Sequence, residues 1–309
     1  MPQFFEQLLT GLSNGALIAV IAMGYTLVYG IVELINFAHG EVFMMGSLMA
    51  LTVVSAFAVA PGDPPGKILP VLGAALLAAM AFSALINVVI DQIAYRRLRK
   101  APRLVPLITA IGMSFILMNV GGYWKGWAPL NFPDLLPNVN LLITILGPST
   151  RLSFKLSQLF VILVAGPLLA GLHLFIHKTK LGKAMRATAQ NSDGAALMGI
   201  DTNRTIALAF LLGGALAGAA GFIYGLYNRE VFFQLGFRQG LNAFTAAVLG
   251  GIGNIRGAVL GGLIIGIVEA LTAFYLAQAL APAAVFLALI LIIIFKPAGL
   301  LGEDVPEKV

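Results

Sequence analysis

Residues 35–46 read INFAHGEVFMMG and supply Asn36, His39 and Glu41 in close succession, with Glu33 just upstream. They interrupt an apolar stretch that runs from Phe4 to Val59. Ionisable groups are costly in hydrocarbon, so within a membrane segment they mark a functional site by default. Two arrangements fit the residues. In the first, the stretch is a turn between two helices. Asn36 caps or bends the chain, Gly40 relieves the backbone, and Glu33, His39 and Glu41 reach water or headgroups. In the second, a broken helix dips back into the membrane, and its free backbone ends and polar side chains line a path. Asn36, His39, Gly40 and Glu41 are therefore the candidate path or gate residues.

The rest of the chain offers little other chemistry. No G-x-x-x-x-G-K-[ST] loop is present, and its nearest approach, LGKA around Lys183, lacks both the spacing and the hydroxyl. There is no H-E-x-x-H, and His39, His173 and His177 are too scattered for a zinc site. Cysteine is absent, which removes thiolate metal sites and thiol nucleophiles, and no G-x-S-x-G elbow occurs. No catalytic or metal-binding residue is assigned, and an enzyme is not expected. A proton- or sodium-driven carrier needs ionisable groups deep in the membrane. Asp91 falls beside a basic loop and reads as a helix-end or ion-pair residue. Glu269 reads as interfacial, and Asn87 as a hydrogen-bonding partner of a neighbouring helix. Such sparse wiring suggests that the driving energy comes from another subunit.

The elements that hold these residues follow from composition. The chain has 309 residues, 59% hydrophobic and only 10% charged, with a mean hydropathy of +0.95. A soluble domain carries about 25% charged residues. Several apolar runs approach or exceed the ~20 residues that cross a bilayer as a helix. The expected fold is all-α: one polytopic membrane domain over 1–309, with helices near 10–32, 42–60, 68–93, 104–123, 157–176, 206–227, 241–273 and 280–295. The seventh segment contains GGIGNIRG at 250–257, so it is one interrupted helix or a short helix followed by a full span. The count is eight or nine. The start, MPQFFEQ, lacks a basic n-region, and the first helix is expected to be retained.

The net charge of +6 matters by location, and it does not suggest nucleic acid here. YRRLRKAPR at 95–103 and the loop 177–204 together hold ten of the 19 basic residues. Two spans separate them, so both can face the cytoplasm. The loop 124–155 then faces outward, with Trp124 and Trp127 near a membrane interface. The turn near 33–41 falls on the cytoplasmic side. A ninth crossing would put the C-terminal end inside, and eight would put it outside.

Small residues recur at four-residue steps. Gly213, Ala217, Gly221 and Gly225, with Gly214 and Gly218 beside them, lie in GGALAGAAGFIYG, and Gly253, Gly257 and Gly261 in GNIRGAVLGGLIIG. Small side chains let helix backbones approach closely. They predict packing within the chain or against another membrane subunit. In the loop 177–204, residues 183–198 are expected to form one helix that ends at Gly199, with Asp201 or Thr202 capping the next. Met185, Ala189, Ala196 and Leu197 would share one side. Such a helix could lie on headgroups or enter a groove on a partner.

INFAHGE (35–41), GKAMRATAQNSDGAALMGIDTNR (182–204) and AFTAAVLGGIGNIRGAVLGGLIIGIVEAL (243–271) resemble the LivH-type permeases of branched-chain amino acid ABC importers. The resemblance covers nearly the whole chain. It implies a bacterial inner-membrane subunit that pairs with a LivM-like second permease, two cytoplasmic ATPases and a periplasmic amino-acid-binding protein. ATP and magnesium would bind to the ATPases, with no cofactor on this chain. The loop 177–204 is similar to the family's ATPase-contacting element, with Gly182, Lys183, Arg186, Ala195, Ala196 and Gly199 as its candidate contact residues. The cytoplasmic motif of ABC permeases is usually spelled E-A-A, and that spelling is absent. The function implied is inward translocation of branched-chain amino acids by alternating access. The alternatives are urea, amides or other amino acids as cargo, a stand-alone secondary carrier, or a membrane scaffold.

Overall fold

A computed structural model describes residues 2–99, 101–102, 104–146 and 152–302. Lys100 and Arg103 of the basic cluster, residues 147–151 of the outward loop and residues 303–309 of the polar end lie outside the described residues.

In lipid each backbone amide must be satisfied within its own segment, so long apolar runs become helices. They are α1 (Pro2–Val32), α2 (His39–Ala56), α3 (Pro65–Ile90), α4 (Leu104–Lys125), α5 (Leu141–Leu146) and α6 (Leu156–Lys178). Then follow α7 (Lys180–Gln190), α8 (Ser192–Leu197), α9 (Thr202–Asn228), α10 (Leu235–Gly250), α11 (Ile255–Tyr275) and α12 (Ala281–Phe295). Two short strands, β1 (Leu130–Asn131) and β2 (Glu230–Val231), pair antiparallel and tie the loop after α4 to the end of α9. At its C-terminal end α3 opens into a wide turn, Asp91–Tyr95, where the Arg96 N–H donates to the Asp91 carbonyl at 2.7 Å. That i to i+5 pattern is a π-turn.

Among the described residues, eight helices are long and apolar enough to cross a membrane. The segment 241–273 breaks where Gly251 and Gly253 adopt φ of +104° and +94°, a region that L side chains rarely enter. Asn254 restarts the helix by accepting from the N–H groups of Arg256 and Gly257. The 16-residue α10 is not one of those eight, yet it completes a ninth crossing. β2 precedes it on the face of the 124–155 loop, and Gly253 after it lies against Gly30 near the end of α1. The N–H groups of Leu300 and Leu301 then bond the carbonyls of Leu249 and Gly250. The chain up to 302 thus returns to the face where α1 ends.

The core is α1, α2 and α9, packed against α3, α10 and α11. Glycine sets the approach. A Cβ on Gly214 of α9 would lie 2.6 Å from the Ser83 carbonyl and 2.9 Å from the Ala84 Cα on α3. Gly218 meets the Ala79 backbone, and Gly221 meets the α2 backbone near Ser47. Gly257 and Gly261 abut the α10 backbone at Gly250 and Ala246, while Gly262 rests on Ala19 of α1.

The loop 177–204 corrects one expectation. Residues 183–198 are two helices, because Asn191 ends α7 with an extended backbone and caps α8 by accepting from the Gly194 N–H at 2.8 Å. Its apolar residues consequently part company: Met185 is buried, whereas Leu197 is 88% exposed. Gly199 turns the chain at φ +82°, and Asp201 caps α9 through the Arg204 N–H.

Candidate functional site

The stretch that opens the question lies inside the bundle. α1 stops at Val32, Glu33 takes a left-handed φ of 55°, and residues 33–36 are free of helix. α2 then begins at His39, whose ring lies against Gly24 and Tyr25 of α1, 4.6 Å between ring centroids in the latter case. Gly24 is about 12 Å before the end of α1 at 1.5 Å per residue. The chain therefore climbs back into the bundle before α2 starts. The turn reading had Glu33, His39 and Glu41 reaching water. That is overturned for His39 and Glu41, which are fully buried. Glu33 alone of the three is exposed, as the turn reading had it.

A polar lattice holds the irregular segment. Asn36 donates to the Asn87 side-chain oxygen at 3.1 Å and accepts from the Tyr95 hydroxyl at 3.1 Å. Asn87 in turn donates to the Phe210 carbonyl of α9 at 2.6 Å. Below it, Arg99 closes on Asp91 at 2.6 Å and also reaches Asn203 at 2.7 Å. Asp91 is an ion-pair residue and Asn87 an inter-helix hydrogen-bonding residue, as their positions suggested. These bonds satisfy groups that would otherwise be orphaned away from water.

Above the lattice the accounting changes. Ser114 of α4 donates to one Glu41 oxygen at 3.3 Å, and the other oxygen has no hydrogen-bond partner among the described residues. Neither ring nitrogen of His39 has one either, and a contact with the Ile21 backbone falls short of hydrogen-bond geometry. Thr26 and Thr245 carry unpartnered hydroxyls as well. Gly40 meets the first turn of α10: a Cβ on Gly40 would lie 2.9 Å from the Gly240 Cα, and one on Gly236 would lie 2.6 Å from the Gly40 carbonyl. Two helix N-termini, each starting inside the bundle, therefore share one contact. A cavity of about 50 Å³ adjoins it, lined by Tyr25, Ser114, Gly240 and Phe237 among others, and Phe237 is exposed on its far side. Buried polar atoms without partners beside two helix starts can make weak polar contacts with a passing solute. Sequence spacing could not reveal α10 as the partner of Gly40.

On the face where α1 ends, α7 and α8 form a hairpin packed against α6 and the start of α9. Thr179 caps α7 through the Gly182 N–H at 3.0 Å, and Gly182 packs under the last carbonyls of α6. Arg186 donates to the Ile176 carbonyl, locking α7 to the end of α6. Lys183, Ala196 and Gly199 are exposed, and Ala195 is buried. Met198, 84% exposed beside Leu197, went unselected from the sequence. The signal was local: two apolar residues at a tip bounded by Gly199 and the Asp201 cap.

A family model described as "Branched-chain amino acid transport system / permease component" matches residues 7–295. The chain is 40% identical, over all of both chains, to the high-affinity branched-chain amino acid transport system permease protein BraD of Pseudomonas aeruginosa. It is 38% identical to the similarly named LivH of Escherichia coli, covering 99% of this chain and 98% of the other. A probable branched-chain amino acid permease of Methanocaldococcus jannaschii is 32% identical over 85% of this chain and 79% of its own.

Proposed function

The chain belongs to the permease-component family of branched-chain amino acid transport systems, and from that premise we propose that it carries leucine, isoleucine and valine inward by alternating access. It is a multi-pass inner-membrane protein and a transport subunit. The full-length likeness to permeases of that name carries the cargo reading. In this reading a second, LivM-like permease completes the membrane part. Two cytoplasmic ATPases hold ATP and magnesium, and a periplasmic binding protein delivers the amino acid to the outward loops.

The inner-face hairpin supports a power source outside the chain. Leu197 and Met198 project from a tip whose backbone is capped at both ends. Such an apolar knob suits a groove on a partner. Because Arg186 is engaged with Ile176, its removal would act through the α6–α7 corner and would report the contact indirectly. The gate is assigned to Asn36, His39, Gly40 and Glu41, where α2 and α10 begin. Glycine-to-backbone contact there lets the two helix starts slide without side chains having to repack. A path for a zwitterion should bind weakly, because a tight site would trap its cargo.

The test is reconstitution of the chain with its partner subunits in liposomes, following labelled leucine, isoleucine and valine. ATP-dependent uptake that requires the binding protein is expected. Leucine uptake by the isolated chain without any ATPase would sink the reading, and uptake of urea in place of leucine would move the cargo. Leu197→Asp with Met198→Asp should cut uptake at least tenfold while the chain still inserts. Unchanged uptake would remove the hairpin from the coupling route.

A further inference from the structure

A second polar region lies near the opposite face, toward β1 and β2. A cavity of about 380 Å³ opens between α1, α9, α10 and α11. It adjoins another of about 440 Å³, and the two share Thr10, Asn14, Tyr227 and Asn228. They meet at Asn228, the last residue of α9, next to β2. The inner of the two cavities lies within the ~300–1,000 Å³ of typical small-molecule sites.

Its walls carry opposite charges. Arg238, in the first turn of α10, is 51% exposed, and Glu269 of α11 is 16% exposed. Their nearest nitrogen and oxygen are 3.9 Å apart, too far for a hydrogen bond. Glu269 also accepts one long bond from Asn242, at 3.4 Å. The contrast within the molecule is informative. Arg99 and Asp91, which have a structural role, close to 2.6 Å. Arg238 and Glu269 form only a loose ion pair and line the same cavity, so each keeps hydrogen-bonding capacity for a third party. Leu17, Ile18 and Ala270 add an apolar wall to the cavity.

We propose that this cavity is an outward-facing binding site for a free α-amino acid: Arg238 takes the carboxylate, Glu269 takes the ammonium, and the Leu17–Ile18–Ala270 wall receives an apolar side chain. A guanidinium fork suits a carboxylate, and paired opposite charges recognise a zwitterion while rejecting solutes that carry only one of the two. The proposal rests on the reading of the chain as an amino-acid permease. The site lies across the start of α10 from the gate, because Arg238 falls between Gly236 and Gly240, the two glycines that meet Gly40, and it offers the released amino acid a first stop before that gate.

The experiment uses the assembled transporter in nanodiscs, without the binding protein, and saturation-transfer NMR with millimolar leucine. Leucine is expected to give saturable signals. Leucinamide, which lacks the carboxylate, and 4-methylpentanoate, which lacks the ammonium, should compete at least tenfold more weakly. Arg238→Gln and Glu269→Gln should each weaken leucine binding at least tenfold, with Arg238→Lys recovering part of the loss. Should Glu269→Gln fail to assemble, the exposed Arg238 variants decide the matter. Equal competition by all three ligands, or variants that bind as the wild type does, would overturn the site. Uptake assays separate the two readings. Leucine carried normally by both variants removes the site and leaves the cargo reading intact. Leucine bound here but never carried removes the cargo reading and leaves the site.

Discussion

α2 and α12 are both membrane helices, yet they are built on opposite plans. α2 is the least apolar of the eight spans and contains a histidine, a glutamate, two glycines and two serines, and 72% of it is buried. The α12 span is the most apolar, and only 11% of it is buried. In water the more apolar helix would go inside. Lipid removes that preference, because a leucine gains nothing by leaving hydrocarbon for protein. What remains is shape and hydrogen bonding, and these belong to glycine, asparagine and serine. The contrast teaches that hydropathy in this chain identifies helices, while departures from hydropathy identify contacts.

Substitutions can test that contrast. The largest effect is expected from Gly46→Leu on α2, where a Cβ would already lie 2.6 Å from the Gly218 Cα of α9. Backbone cannot step aside cheaply, so the cost should reach about 3 kcal/mol, the upper part of the usual overpacking range. Little folded protein should survive a thermal-stability assay. A smaller loss is expected from Asn87→Ala, which removes the side-chain donor to the Phe210 carbonyl and leaves the Asn36 amide without its acceptor. Inter-helix hydrogen bonds in membranes average about 0.6 kcal/mol and reach about 1.7, so a loss of about 1–2 kcal/mol in unfolding free energy is anticipated. Ile290→Ala on the exposed face of α12 should stay within about 0.5 kcal/mol. If the α12 change proved as harmful as the α2 change, the lipid-facing assignment of α12 would be wrong.

Much of the fold was legible because apolar run length, glycine breaks and caps act locally. The interruption at GGIGN, the Asp201 cap and the Asp91 ion pair can each be read from a few neighbouring residues. The split of 183–198 was also readable in principle, since NSDG at 191–194 is a capping sequence, but helical periodicity on either side hid it. The burial of His39 and Glu41 was not readable. It depends on α2 starting beside the middle of α1 and on α10 covering Gly40, and their contact joins residues that are nearly two hundred positions apart. The Arg238–Glu269 cavity is illegible for the same reason: its walls come from separate helices that only the assembled bundle brings together.

The π-turn at Asp91–Tyr95 acts as a phase adjuster. It holds one residue more than an α-turn requires, and each residue advances a helix by about 100°. With the extra residue, Tyr95 points inward to Asn36 while Arg96 and Arg97 remain on the exposed side. Deleting Gln92 would keep Asp91, Tyr95 and Arg99 in the chain and leave an uninterrupted helix. It would also rotate everything beyond the cut by more than a quarter turn, parting Arg99 from Asp91. The chain's length at this point is thus itself a piece of information, stored as an angle.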